Sequence, residues 1–144
     1  MIVVADASVL VAELLRERGR ALLSHAELQV VVAEEQWEEA EHELPRRVGK
    51  IVASGQLTGE QARLLHESVH ALINHRMIEI IPRTFYLHRA AEARRRVPRD
   101  ARDWAPVALA LALDAGILTA GHDFLGCGCP AWTVQTLREH LDRG

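Results

Sequence analysis

Ile2-Val3-Val4-Ala5-Asp6-Ala7-Ser8-Val9-Leu10-Val11-Ala12 is the stretch that decides the fold class. Four apolar residues in a row, three of them β-branched, favour a short strand buried on both faces. Asp6 follows at once, and the residues after it read as the start of a helix. A carboxylate placed where a buried strand stops sits at the mouth of an α/β sheet, where open sheets bind their ligands.

The pattern repeats along the chain. Further strands are predicted over 28–32, 77–81, 117–119 and 131–133. Helices are predicted over 8–16, 21–25, 34–47, 85–96, from just after Asp100 to Ala115, and over 134–141. Gly19 reads as an interruption and Pro45 as a bend or stop. Residues 48–59 read as the most loop-like interior stretch, and Gly116 as a helix cap. Thr58-Gly59-Glu60-Gln61 has the form of a capping box, followed by Leu64, Leu65, Val69, Leu72 and Ile73 at helical spacing. The segment 107–113 is apolar all round, which marks a helix covered on most sides. Strands alternating with helices predict a three-layer α/β/α architecture with a central parallel sheet, in one domain over 1–144.

The bulk composition narrows the class. A chain of 144 residues with 49% hydrophobic and 26% charged residues is ordinary for a globular protein. The net charge of −3 gives no global signature of nucleic-acid binding, although a local patch can supply the field. Sixteen arginines against one lysine, Lys50, provide guanidinium groups suited to phosphate. Two cysteines, Cys127 and Cys129, imply no disulfide framework and are too few for a structural zinc site. The longest apolar run is too short to span a bilayer, and Met1 leads straight into the first strand. A cytoplasmic setting with no membrane partner is the expectation.

Each acid near a predicted strand end has two readings. Asp6 is a metal ligand or a plain helix N-cap, a role Ser8 could also fill. Asp100 and Asp103 fit a helix start, with Asp100 as N-cap and Asp103 one turn in, both on the positive end of the helix dipole. Asp103 also leads into the buried helix, near the sheet mouth. Asp123 is a strand-end acid or the cap of a short turn. Of Glu38, Glu39, Glu41 and Glu43, crowded on one helix, at most two can point inward. Two like charges 4 Å apart repel by about 4 kcal/mol at an effective dielectric near 20. Converging carboxylates therefore need protons or a cation, and all-oxygen ligation favours Mg²⁺ or Mn²⁺ over zinc.

Three segments carry a resemblance. Val3 to Leu10 resembles the opening of PIN-domain nucleases, a group that includes VapC-like toxin ribonucleases. The run Pro98-Arg99-Asp100-Ala101-Arg102-Asp103-Trp104-Ala105-Pro106, continuing to Leu113, is similar to their third acidic motif. Ile117-Leu118-Thr119-Ala120-Gly121-His122-Asp123-Phe124 is similar to their last motif, usually Thr-x-Asp-x-Asp-Phe. The resemblance implies a Mg²⁺- or Mn²⁺-dependent ribonuclease, commonly the toxin of a toxin–antitoxin pair. It implies Asp6, Glu39, Asp103 and Asp123 as catalytic residues, with Asp6, Asp103 and Asp123 on the metal and Glu38 as fallback for Glu39. Ser8, Asp100 and Thr119 are supporting residues. It also implies an RNA substrate, an antitoxin partner and a homodimer.

Gly121 stands where the family places another acid, with His122 beside it. This motivates an alternative, a degenerate PIN domain that binds RNA or protein without catalysis. A haloacid dehalogenase-like reading, with Asp6 as nucleophile, wants a second acid two residues on; Ser8 occupies that position. Arg95, Arg99 and Arg102 belong to a basic cluster that is a phosphate grip or a solvated face. Trp37, Trp104 and Trp132 read as core or interface residues. His66 and His70 lie one helical turn apart without a third ligand.

Overall fold

A computed structural model describes residues 1–97, 100, 103–120, 124 and 126–143 of the chain. Among them, five strands form one parallel sheet: β1 (Ile2–Ala5), β2 (Gln29–Ala33), β3 (Ile78–Ile81), β4 (Gly116–Leu118) and β5 (Ala131–Trp132). Their spatial order is β3-β2-β1-β4-β5. The helices are α1 (Ala7–Leu14), α2 (Glu17–Leu23), α3 (Glu34–Ala53), α4 (Gly59–Asn74), α5 (Arg83–Tyr86), α6 (Ala90–Arg96), α7 (Trp104–Leu113) and α8 (Val134–Arg143).

Successive strand residues point to opposite faces, so the sheet divides the core in two. Val3, Ala5, Val30 and Val32 join Leu10 and Leu14 of α1, Val69 of α4 and Leu137 of α8 on one face. Val4, Val31 and Ile117 join Tyr86 of α5, Ala93 of α6 and Val107 to Ala110 of α7 on the other. Helices therefore cover both faces, which is the three-layer α/β/α arrangement that the alternation predicts.

Several local expectations fail, each because a residue type was weighed without its neighbours. Gly19 does not interrupt a helix; it lies inside α2. A Cβ there would sit 2.1 Å from the Glu13 carbonyl oxygen, so the glycine permits close packing of α2 on the end of α1. Pro45 does not end α3, which runs on to Ala53 and removes most of the expected loop over 48–59. One backbone bond is forfeited at an exposed position. Trp37 and Leu44 still pack on the core, and Val48 beyond the proline faces Leu65 and Val69 of α4. Gly116 is not a cap but the first residue of β4, where a Cβ would lie 2.7 Å from the Trp132 indole nitrogen. Asp114, with φ of 53°, ends α7 in the left-handed conformation that Asp tolerates. The single helix expected over 85–96 is α5, a 3₁₀ turn at Leu87–Arg89, and α6. The capping box holds: Gln61 N donates to Thr58 Oγ1, and Thr58 N to Gln61 Oε1.

Candidate active site

The sheet order places β2 and β3 on one side of β1, and β4 and β5 on the other. The chain reverses direction of growth between β1 and β4, and the crevice beyond their carboxyl ends is where such sheets bind ligands. Asp6 and Thr119 are the first residues past these two strands, whose last residues Ala5 and Leu118 are register partners. Asp6 N donates to Leu118 O at 3.1 Å, which ties the two strand ends together.

Asp6 is 7% exposed. Its Oδ1 accepts from Val9 N and from Ser8 Oγ, both at 3.0 Å. Its Oδ2 accepts from Thr119 Oγ1 at 2.7 Å. Asp6 is thus the N-cap of α1, and Ser8 serves the carboxylate rather than the helix. All three donors are neutral, and no described arginine, lysine or histidine pairs with this carboxylate. Burying an anion without a counter-charge is costly.

Gln36, in the first turn of α3, was not singled out by sequence. It is 6% exposed, and its Oε1 accepts from Ala7 N at 2.7 Å. It thereby satisfies one of the orphan donors at the start of α1 and fixes the chain beside Asp6. A signal was available: position 36 lies one turn before buried Ala40, on the inward face of a helix otherwise crowded with glutamates.

Glu39 is exposed and walls a pocket of about 230 Å³ with Ala7, Ser8, Val11, Glu43 and Arg47. Glu38 is exposed and does not line that pocket. The PIN domain family matches residues 4–142 of the sequence. The chain belongs to the PIN-domain family. Among solved structures, it is similar to a crystal structure of FitAcB from Neisseria gonorrhoeae, with a TM-score of 0.57 and 23% identity over 92% of this chain and 96% of that one. Likeness at this identity shows a shared fold. No curated protein matches the sequence.

The remaining predicted site residues of this PIN domain are distributed as follows. Asp103, half-buried, occupies the N-cap position of α7 without a side-chain cap bond, and its N–H donates to Asp100 O at 3.0 Å. The helix therefore starts one turn later than predicted, and Asp100 lies before it. Asp123, with Gly121 and His122, lies outside the described residues, as do Arg99 and Arg102. Arg95 is exposed on α6. Its neighbours are engaged: Arg94 sits 4.9 Å over the Trp104 ring, while Arg96 reaches Glu92 and the Cys127 carbonyl. Among the described residues, no three His, Cys, Asp or Glu side chains group closely enough to hold a metal.

The donor chemistry nevertheless suits a hard cation. Asp6 offers carboxylate oxygens held in place by neutral donors, and Glu39 faces Ser8 across the small pocket. Oxygen ligands of this kind match Mg²⁺ or Mn²⁺.

A second, partly buried cluster braces the same end of the sheet and was also missed. Glu35 accepts from the Tyr86 hydroxyl and from Arg83 Nε. The Tyr86 ring packs 5.8 Å from Trp104, the residue after Asp103. Burial, and then the bond to Glu35, push the Tyr86 phenol above its ordinary pKa. Trp104 is covered by Tyr86 and Arg94, and Trp37 and Trp132 pack against the core, in keeping with the structural reading of all three. Cys127 is buried, and burial pushes the Cys129 thiol up to about 11. His66 and His70 touch edge to face at 4.3 Å.

Proposed function

We propose that this PIN domain is a Mg²⁺- or Mn²⁺-dependent ribonuclease that hydrolyses RNA phosphodiester bonds, as the toxin of a toxin–antitoxin pair. The observation that carries the reading is Asp6, a buried carboxylate at the switch point of a parallel sheet, held by three neutral donors and paired with no cation among the described residues. Membership of a family whose domains are generally metal-using nucleases supports it. Asp6, Asp103 and Asp123 are proposed as metal ligands and Glu39 as the fourth catalytic acid. A bound Mg²⁺ or Mn²⁺ would activate water and neutralise charge developing on the phosphate.

The chain's own residues then have distinct tasks. Thr119 and Ser8 aim the Asp6 carboxylate by donating to its two oxygens. Asp100 supports Asp103 through its carbonyl oxygen. Arg95, with Arg99 and Arg102, is proposed to grip phosphates flanking the scissile bond. An antitoxin partner, a homodimer and a cytoplasmic setting complete the reading. No helix among the described residues is long and apolar enough to cross a membrane.

Gly121 favours the second reading, a binding module without catalysis. Isothermal calorimetry with Mn²⁺ separates the two. The nuclease reading expects saturable binding that Asp6→Asn weakens at least tenfold. Absence of binding to the wild-type protein points to the binding module.

A further inference from the structure

Gln36 has one end of its amide anchored and the other unused. Ala7 N is a donor only, so its bond at 2.7 Å fixes Oε1 toward α1 and turns Nε2 away. Nε2 has no acceptor among the described residues. It is not sealed in either, since among the described residues every fully enclosed side-chain nitrogen or oxygen has a hydrogen-bond partner. Buried amides nearly always use their donors. A residue 6% exposed, with two N–H groups unfilled, is therefore prepared to bond something arriving from outside.

The surrounding sequence sharpens this. Glu34, Glu35, Glu38 and Glu39 surround Gln36 in the first two turns of α3. Accepting a bond from Ala7 N requires only an oxygen, which a glutamate supplies as well. What glutamine adds is a neutral pair of donors, on a side chain anchored to Ala7, the residue after Asp6. Such a group can bind an oxyanion without contributing further negative charge to a site built from carboxylates.

We propose that Gln36 Nε2 donates a hydrogen bond to a non-bridging oxygen of the RNA phosphate that lies at Asp6, so that Gln36 is a substrate-contacting residue as well as the anchor of α1. The inference rests on the nuclease reading above. Its specificity is for a phosphodiester over a neutral ligand.

Two variants separate the anchoring role from the donating role. Gln36→Glu keeps an acceptor for Ala7 N and loses the donors; Gln36→Met loses both without adding charge. Each is compared with the wild type on a mixed-sequence single-stranded RNA, unmodified or carrying phosphorothioates. Binding is read by fluorescence anisotropy with Ca²⁺, and single-turnover cleavage with Mn²⁺. Sulfur is the weaker acceptor, so the wild type should lose affinity and rate on the thio substrate. Both variants should bind and cleave unmodified RNA about tenfold or more weakly, in keeping with loss of a hydrogen bond to a charged group. Their penalty for sulfur should be several-fold smaller than that of the wild type. A sulfur penalty identical in all three proteins, with the wild type active, overturns the role of Gln36 and leaves the nuclease reading standing. A wild-type protein that neither binds nor cleaves RNA overturns both.

Discussion

Asp6 performs two tasks with the same carboxylate. Oδ1 caps α1 through Val9 N, while Oδ2 faces Thr119 across the switch point. Asparagine is about as good an N-cap as aspartate, so Asp6→Asn is expected to shift unfolding free energy by less than about 1 kcal/mol, whereas Asp6→Ala costs about 1–2 kcal/mol. Chemical denaturation of both variants measures this, and equal stability losses would contradict the capping assignment. Tyr86 offers a second test, because it is the chain's one tyrosine. Its phenol is held above the ordinary value of about 10, so its neutral form is favoured in the folded state. That contribution is complete below the unfolded value and is lost as pH rises toward the folded one. Ultraviolet titration should show tyrosinate forming at distinctly higher pH in the native protein than in denaturant. Coincident curves would mean that neither the burial of Tyr86 nor its bond to Glu35 is maintained. Asp6 was legible in the sequence because its signal is local, an acid at the end of an apolar run. Gln36 and the Glu35–Tyr86 pair were not, because their partners lie 29 and 51 residues away.

The same contrast between local and distant causes governs the elements. β1 was legible residue for residue, and the other strands to within a residue or two, because continuous apolar runs bounded by polar residues have few other uses. The capping box at Thr58 was legible because both partners are three residues apart. Glycine and proline misled for the opposite reason, since each was read as punctuation when tertiary contact had fixed its role. Gly19 is the sharpest instance. Its Cβ position is occupied by the Glu13 backbone, so Gly19→Ala must push α2 away from α1 although alanine favours helices. A loss of about 1–3 kcal/mol, the usual cost of overpacking, is expected in thermal or denaturant unfolding. A stabilised variant would show that Gly19 is an ordinary helical glycine. Thr58→Ala should cost about 1 kcal/mol by loss of its cap bond. It should leave any activity intact, because the cap sits on α4 rather than at the sheet mouth.

At the scale of the molecule, sheet order decides where chemistry can occur. Placing β1 between β2 and β4 brings Asp6 and Thr119 into contact across 113 residues of sequence. It also sets α3, with Gln36 and Glu39, beside the start of α1. The net charge of −3 gives no hint of an RNA substrate, so any attraction for phosphate has to come from local arginines and a bound cation. The most direct test is cleavage of a mixed-sequence single-stranded RNA by the wild-type protein and by Asp6→Asn, each with Mg²⁺ or Mn²⁺ and with excess chelator. The account predicts cleavage by the wild type only when the metal is present, and a loss of at least a hundredfold in a folded Asp6→Asn protein. Cleavage that persists unchanged in Asp6→Asn, or that ignores the chelator, would contradict it.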